Sequence, residues 1–184
     1  MRHYINLLFQ ADEEVPIYFI RNKVFTKLHK TLHDQKQTSI GVSFPNGKEK
    51  LGDIMRLHGD KTSLETLRKR NWLGGLSGYC RVSNILPVPD KVEGYRTVSR
   101  IRQNMTNAKL RRLIQRGSIS EDETRGYQAK MMAGSLDDPF LELRSISTSE
   151  KYRIYIVFGA LKDQPAEGDF NHFGLSKTAT VPWF

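Results

Sequence analysis

Apolar positions change period repeatedly along the first half of this chain. Residues 3–9 read as a strand. From Val15 to about Gln35, Ile17, Ile20, Val24, Leu28 and Leu32 recur at helical spacing, with Phe25 alongside. Ile40, Val42 and Phe44 alternate across Ser39–Pro45, which is strand spacing, and Asn46-Gly47 marks a turn. Asp53–His58 predicts the next strand. Thr62 followed by Glu65 predicts a capping box for a helix to about Arg70. Tyr79–Leu86 predicts a fourth strand, stopped by Pro87 and Pro89. The resulting order, β-α-β-β-α-β, is the ferredoxin-like arrangement.

Beyond Pro87–Asp90 the pattern is less regular, and a domain boundary is placed there, giving segments 1–90 and 91–184. Tyr95–Arg102 reads as extended. Asn107–Arg116 reads as a helix closed by Gly117, and Ser120 with Glu123 predicts the start of another, to about Ala133. Phe140–Ser145 and Tyr152–Phe158 read as strands, the second with Tyr152, Ile154 and Ile156 on one face. The expected class is α+β: a ferredoxin-like N-terminal domain followed by a divergent α+β C-terminal domain.

Composition narrows the classes. The chain has 184 residues, 38% hydrophobic and 10% aromatic, enough for a packed core. No apolar run approaches the roughly 18 residues that span a bilayer, so no membrane role is expected. The opening MRHYINLLFQADEE turns acidic too soon to read as a signal peptide. A single cysteine, Cys80, excludes an internal disulfide framework and a cysteine-based zinc site, and suits a reducing cytoplasm.

The placement of charge says more than the net charge of +9. Between residues 95 and 120 stand Arg96, Arg100, Arg102, Lys109, Arg111, Arg112 and Arg116, with no acid among them. Solvated helix faces usually interleave both signs. An unrelieved basic stripe points instead to a polyanion, nucleic acid foremost. In the helix at 107–116, Leu110, Leu113 and Ile114 form a docking stripe, while Lys109, Arg112 and Arg116 lie on another face with Arg111 beside them. A guanidinium bonds phosphate bidentately and reads guanine edges. Such a helix enters an RNA major groove only where a stem's end widens it. Arg96, Arg100 and Arg102 precede it at even spacing and would share one face of a strand.

His29 is the second candidate. The apolar residues of the first helix cover about 140° of its wheel, and His29 falls just beyond Phe25 at that edge. Histidine is the usual general acid or base near neutral pH; on spacing alone a surface histidine on a helix shoulder is the commoner reading. His33 stands one turn on, at metal-ligand spacing, but no zincin glutamate follows His29 and no third ligand is evident. Gly41 to Gly47-Lys48 has the wrong spacing for a P-loop, and Gly75-Leu76-Ser77-Gly78 is not a nucleophile elbow. No carboxylate set resembles a two-metal nuclease centre. A nuclease built from these residues would be metal-independent and cofactor-free, using the 2′-hydroxyl of RNA as nucleophile with a base and cations in support.

The ordered set Gly41-Val-Ser-Phe-Pro45, Leu51-Gly52, Tyr95-Arg-x-Val-Ser-Arg100, Leu110-Arg-Arg112, Leu143-Arg-Ser-x-Ser-Thr148, Gly174-Leu-Ser-Lys177 and Val181-Pro-Trp-Phe184 resembles the CRISPR repeat-processing endoribonuclease of type I-F systems. The likeness runs the whole length, with Lys27-Leu-His29 at the family's histidine position. It implies a ferredoxin-like N-terminal domain and a C-terminal domain with an arginine-rich helix. The implied substrate is the stem-loop of the CRISPR repeat in a precursor transcript. Cleavage at the 3′ base of the stem, without metal, leaves a 5′-hydroxyl and a 2′,3′-cyclic or 3′ phosphate. The enzyme is expected to stay on the product hairpin as a subunit of the surveillance complex.

By the same resemblance, His29 is the proposed general base, Ser145 holds the attacking 2′-hydroxyl, and Ser147 is its neighbouring serine. Tyr152 packs under the terminal base pair; Arg100 reads the groove, with Arg102 close to a second base-reading position. Arg111, Arg112 and Arg116 belong to the groove helix. Two departures stand out. Some members carry a tyrosine before Gly-Leu-Ser-Lys that orients the histidine; here it is Phe173, and His172 beside it would face the other way on a strand. Leu113, Gln115 and Gly117 occupy positions that are basic in some members, so fewer phosphate contacts and a more salt-tolerant affinity are expected. The alternative reading is a cap subunit of the same complex that binds the hairpin but cuts weakly. The motif set leaves little room for a general RNA-binding protein.

Overall fold

The computed structural model describes residues 1–11, 13–47, 50–101, 107–122, 124–126, 139–144 and 150–184. The first half builds β1 (His3–Phe9), α1 (Ile17–Asp34), β2 (Gly41–Ser43), β3 (Ile54–Gly59), α2 (Lys61–Lys69) and β4 (Cys80–Val82). These strands form an antiparallel sheet in the order β2-β3-β1-β4, as the ferredoxin-like reading requires. A short β5 (Leu86–Pro87) also pairs with β1.

The helix starts differ from the sequence expectations for local reasons. Pro16, extended at ψ 150°, holds the chain out of the helix until Ile17. α2 is capped by Asp60, whose Oδ1 accepts from the Ser63 N–H at 2.8 Å, so the cap lies two residues before the expected Thr62. A 3-10 turn over Gly74–Tyr79 takes the beginning of the expected fourth strand.

The second half supplies β6 (Gly94–Arg96), β7 (Val98–Ile101), α3 (Asn107–Gln115), β8 (Phe140–Arg144), β9 (Lys151–Phe158) and β10 (Val181–Trp183). β6 pairs with β10, and β7, β9 and β8 form a three-stranded antiparallel sheet in that order. Gly117, at φ +62°, ends α3 in the left-handed conformation glycine favours. Residues 121–122 and 124–126 are helical; the expected continuation to Ala133 lies outside the described residues.

α1 buries Ile20, Val24, Phe25, Leu28 and Leu32. These belong to one apolar cluster with Ile5 and Leu7 of β1, Val98 of β7, Leu141 and Leu143 of β8, and Ile154 and Ile156 of β9. A strap of main chain joins the two sheets. The Val42 N–H of β2 donates to the Gly174 carbonyl at 2.8 Å, and the Ser176 N–H donates to the Val98 carbonyl of β7 at 2.9 Å.

The other face of the first sheet carries a buried polar group of side chains. The Arg56 guanidinium lies 3.9 Å from the Phe184 ring centre, and its Nε donates to Asn6 Oδ1 at 2.8 Å. His58 Nε2 bonds Ser43 Oγ at 2.8 Å, while its Nδ1 has no partner among the described residues. Complete burial, with Arg56 adding to it, drives the His58 pKa down to about 3. Among the described residues no helix is long and apolar enough to cross a membrane.

His58 therefore links stability to pH. Above its ordinary 6.5 both native and unfolded states are neutral; between there and about 3 only the unfolded chain takes the proton. Stability should fall with pH across that window, by up to about 1.4 kcal/mol per unit from this group. In urea unfolding, His58→Gln should be less stable near neutrality yet lose less between about pH 6 and pH 4. Equal slopes for the two proteins would contradict this account.

Candidate active site and nucleic-acid interface

His29 sits in the last third of α1, half-buried, where the helix shoulder meets the strap. Its imidazole stacks on the Phe173 ring at 3.8 Å between centres and 8° between planes. Phe25, one turn earlier on α1, extends the same stack, 6.1 Å from Phe173 at 12°. The Arg100 guanidinium of β7 lies 5.2 Å from the Phe173 ring centre. Beside the shared core, β7 thus meets the helix shoulder at one aromatic ring.

His29 Nδ1 lies 3.0 Å from the His172 carbonyl oxygen. A carbonyl oxygen only accepts, so Nδ1 carries the proton and donates. In the neutral ring Nε2 then bears the lone pair. Burial lowers the His29 pKa below its ordinary value; the His172 carbonyl bond pushes it back up, and the charges of His33, His172 and Arg100 lower it further. The neutral form is favoured, which is the form a general base needs.

This arrangement corrects the expectation for residues 172 and 173. They lie in a turn, not on a strand. The His172 side chain turns toward His33, with ring centres 5.1 Å apart, while its main-chain oxygen faces His29. Phe173 cannot donate a hydrogen bond but supplies a stacking plane. The backbone contact could not be read from side-chain alternation, because a carbonyl has no residue type. His29 and His33 lie 6.3 Å apart between ring centres, and among the described residues no three His, Cys, Asp or Glu side chains are grouped to hold a metal ion.

Tyr152, the second residue of β9, stands opposite Leu143 of β8 and is 37% exposed, although Ile154 and Ile156 on the same face are buried. It stands at the sheet's rim. Partial burial raises its phenol pKa, and the nearby Arg100 charge pulls it back. Arg96 does not line up with Arg100. β6 ends at Arg96, and Val98 begins a strand of another sheet. Its Nε donates to the Gly159 carbonyl at 2.8 Å and its guanidinium lies 4.8 Å from the Trp183 ring centre, so it is a structural residue.

In α3, Leu110 is buried, Leu113 half-buried and Ile114 46% exposed. The docking stripe is narrower than the periodicity suggested. Arg111, Arg112 and Arg116 are exposed, and Lys109 lies in the same helix. Ser145, Ser147 and Arg102 lie outside the described residues. Ser145 directly follows Arg144, the last residue of β8. Burial pushes the Cys80 thiol up to about 11, which keeps it unreactive.

A family profile described as CRISPR-associated protein (Cas_Csy4) matches residues 4–184. The chain belongs to the Cas_Csy4 family. A CRISPR-associated endonuclease Cas6/Csy4 of Escherichia coli (strain UTI89 / UPEC) is 35% identical over 185 residues, and one of Pseudomonas aeruginosa (strain UCBPP-PA14) is 37% identical over 188; each match covers both chains fully. The chain is accordingly a CRISPR-associated endonuclease, as the ordered motifs implied. Among solved structures, a CRISPR endoribonuclease Cse3 bound to 19 nt RNA matches at TM-score 0.34 and 12% identity, covering 99% of this chain and 100% of that one. The Thermus thermophilus Cse3 bound to an RNA representing a pre-cleavage complex matches at 0.35 and 11%, with the same coverage. Similarity at that level is too low to carry an argument.

If His29 is the base, its lowered pKa gives the family's activity a pH signature. Since kcat/KM reports the free enzyme, its acid limb should have a midpoint below 6.5. The rate is lost as pH falls through that midpoint because the base becomes protonated. A midpoint above 6.5 would contradict the burial argument.

Proposed function

We propose that this endonuclease cleaves the stem-loop of the CRISPR repeat in precursor transcripts, without metal, by attack of the RNA's own 2′-hydroxyl. The observation that carries the reading is the held His29 imidazole, with Nδ1–H on the His172 carbonyl and the ring flat against Phe173. Nε2 takes the proton of the 2′-hydroxyl. The 2′-oxygen bonds to the adjacent phosphorus as the P–O5′ bond breaks, and the departing O5′ gains a proton. The products are a 2′,3′-cyclic phosphate and a 5′-hydroxyl. A base of this kind contributes typically 10² to 10⁴-fold, and cations stabilise charge developing on the phosphate.

Ser145 and Ser147, which follow Arg144 in the sequence, are assigned to holding the nucleophile. Tyr152 packs under the terminal base pair, Arg100 reads the groove with Arg102 close to a second base-reading position, and Lys109, Arg111, Arg112 and Arg116 of the groove helix grip the stem. The hairpin thus bridges segments 1–90 and 91–184. After cutting, the enzyme remains on the hairpin and joins the other subunits of the type I-F surveillance complex in the cytoplasm. Phe173 does not favour the weakly cutting cap subunit, because the carbonyl already satisfies Nδ1.

Incubation with the host's repeat RNA in EDTA should give cutting at a single site. Tight binding without cutting would favour the cap reading. His29→Ala should bind the repeat normally and lose cutting by about 10² or more; undiminished cutting would remove His29 from the chemistry.

Arg112→Ala with Arg116→Ala should weaken binding and lower the slope of log affinity against log salt by about two, one per lost phosphate contact. An unchanged slope would contradict the groove-helix assignment.

A further inference from the structure

Asn171 takes no part in the chemistry above, yet its side chain organises the turn that faces His29. Its Oδ1 accepts from the Phe173 N–H at 2.8 Å and from the Leu175 N–H at 3.3 Å. Its own N–H donates to the Leu175 carbonyl at 3.0 Å, and its carbonyl accepts from the Gly174 N–H at 2.8 Å. An amide oxygen bonded to the main chain two residues on is an Asx turn. The turn closes through Gly174 at φ +70°, where a Cβ would overlap the Val42 side chain. The Gly174 carbonyl is in turn held by the Val42 N–H of β2. The segment is therefore tied from within by Asn171 and from outside by the sheet edge.

This one turn delivers both groups that fix His29. The His172 carbonyl sets which ring nitrogen carries the proton, and the Phe173 ring sets the plane. The carbonyl belongs to the peptide unit joining residues 172 and 173, which also carries the Phe173 side chain at its end and whose N–H is the one that Asn171 Oδ1 binds at 2.8 Å. Rotation of that peptide would carry the carbonyl off Nδ1. The ring would then be free to move its proton to Nε2, and the lone pair would sit on the wrong side of the imidazole. A misplaced tautomer costs a histidine base orders of magnitude in rate.

We infer that Asn171 is a positioning residue for His29: its amide oxygen holds the turn whose carbonyl keeps the imidazole in the Nδ1–H form. The inference rests on His29 being the base, and its test is read separately from cutting. With ¹⁵N-labelled histidine, NMR of the RNA-free protein above the His29 titration reports the tautomer directly. The wild type should show the Nδ1–H form. Asn171→Ala should show a mixture, with single-turnover cutting reduced about tenfold or more and repeat-RNA affinity within about twofold. Asn171→Asp, which keeps an acceptor oxygen in place, should retain the wild-type tautomer and most of the rate.

An Asn171→Ala protein that keeps the pure Nδ1–H form overturns the inference, whatever its rate. So does an Asn171→Asp protein that behaves like the alanine variant. If Asn171→Ala does not fold, Asn171→Ser takes its place; its shorter hydroxyl should leave a partial mixture, and a wild-type spectrum would overturn the inference. Undiminished cutting by His29→Ala would instead remove the base assignment while leaving the tautomer measurement intact.

Discussion

The site depends on a short main-chain strap bonded to two sheets. Val42 of β2 holds Gly174, and Val98 of β7 holds Ser176. Phe173 directly precedes the first of these anchors, and the Phe170 N–H is held by the Thr38 carbonyl on its other side, so the aromatic ring at 173 is placed relative to both halves at once. His29 reaches the ring from α1 and Arg100 reaches it from β7. Buried polar backbone must find partners, and here the same bonds that satisfy a sheet edge bring a histidine and an arginine to one aromatic ring.

That placement sets the electrostatics. An imidazole beside cationic groups and partly out of water resists protonation. The carbonyl bond opposes this only in part, and it also decides which nitrogen is left open. A surface histidine on the same helix shoulder would have neither constraint. Burial keeps the ring neutral, against the pull of any nearby phosphate, which would favour the charged form. The arginine helix lies apart from these constraints: it offers exposed cations and docks mainly through Leu110.

Much of this was legible in the sequence where chemistry follows side-chain periodicity. Ile17 to Leu32 gave the buried stripe of α1, and the alternation of Ile40, Val42 and Phe44 gave the neighbourhood of β2, although only Gly41–Ser43 makes ladder bonds. His29 at the stripe's edge was visible as a candidate. Its partner was not, because the contact is a main-chain oxygen delivered by a turn from 143 residues away. The even spacing of Arg96 and Arg100 misled for a related reason. Parity holds only within one strand, and here the chain passes from one sheet to another at Thr97. The Asp60 cap was missed because two adjacent motifs competed for one helix start and the earlier one won by binding Ser63.

The carbonyl partner of His29 has an evolutionary consequence. A hydroxyl partner can be deleted by a single base change, whereas a main-chain oxygen survives every substitution at its own residue. Holding Nδ1 thereby makes no demand on the side chain at position 172, and position 173 needs only a flat ring. If His29 is the base, constraint shifts onto residues that never touch the imidazole: the asparagine that shapes the turn and the glycine that lets it lie against β2. In this lineage the mutational sensitivity of the active site should be found in the turn's architecture more than in the groups that face the imidazole.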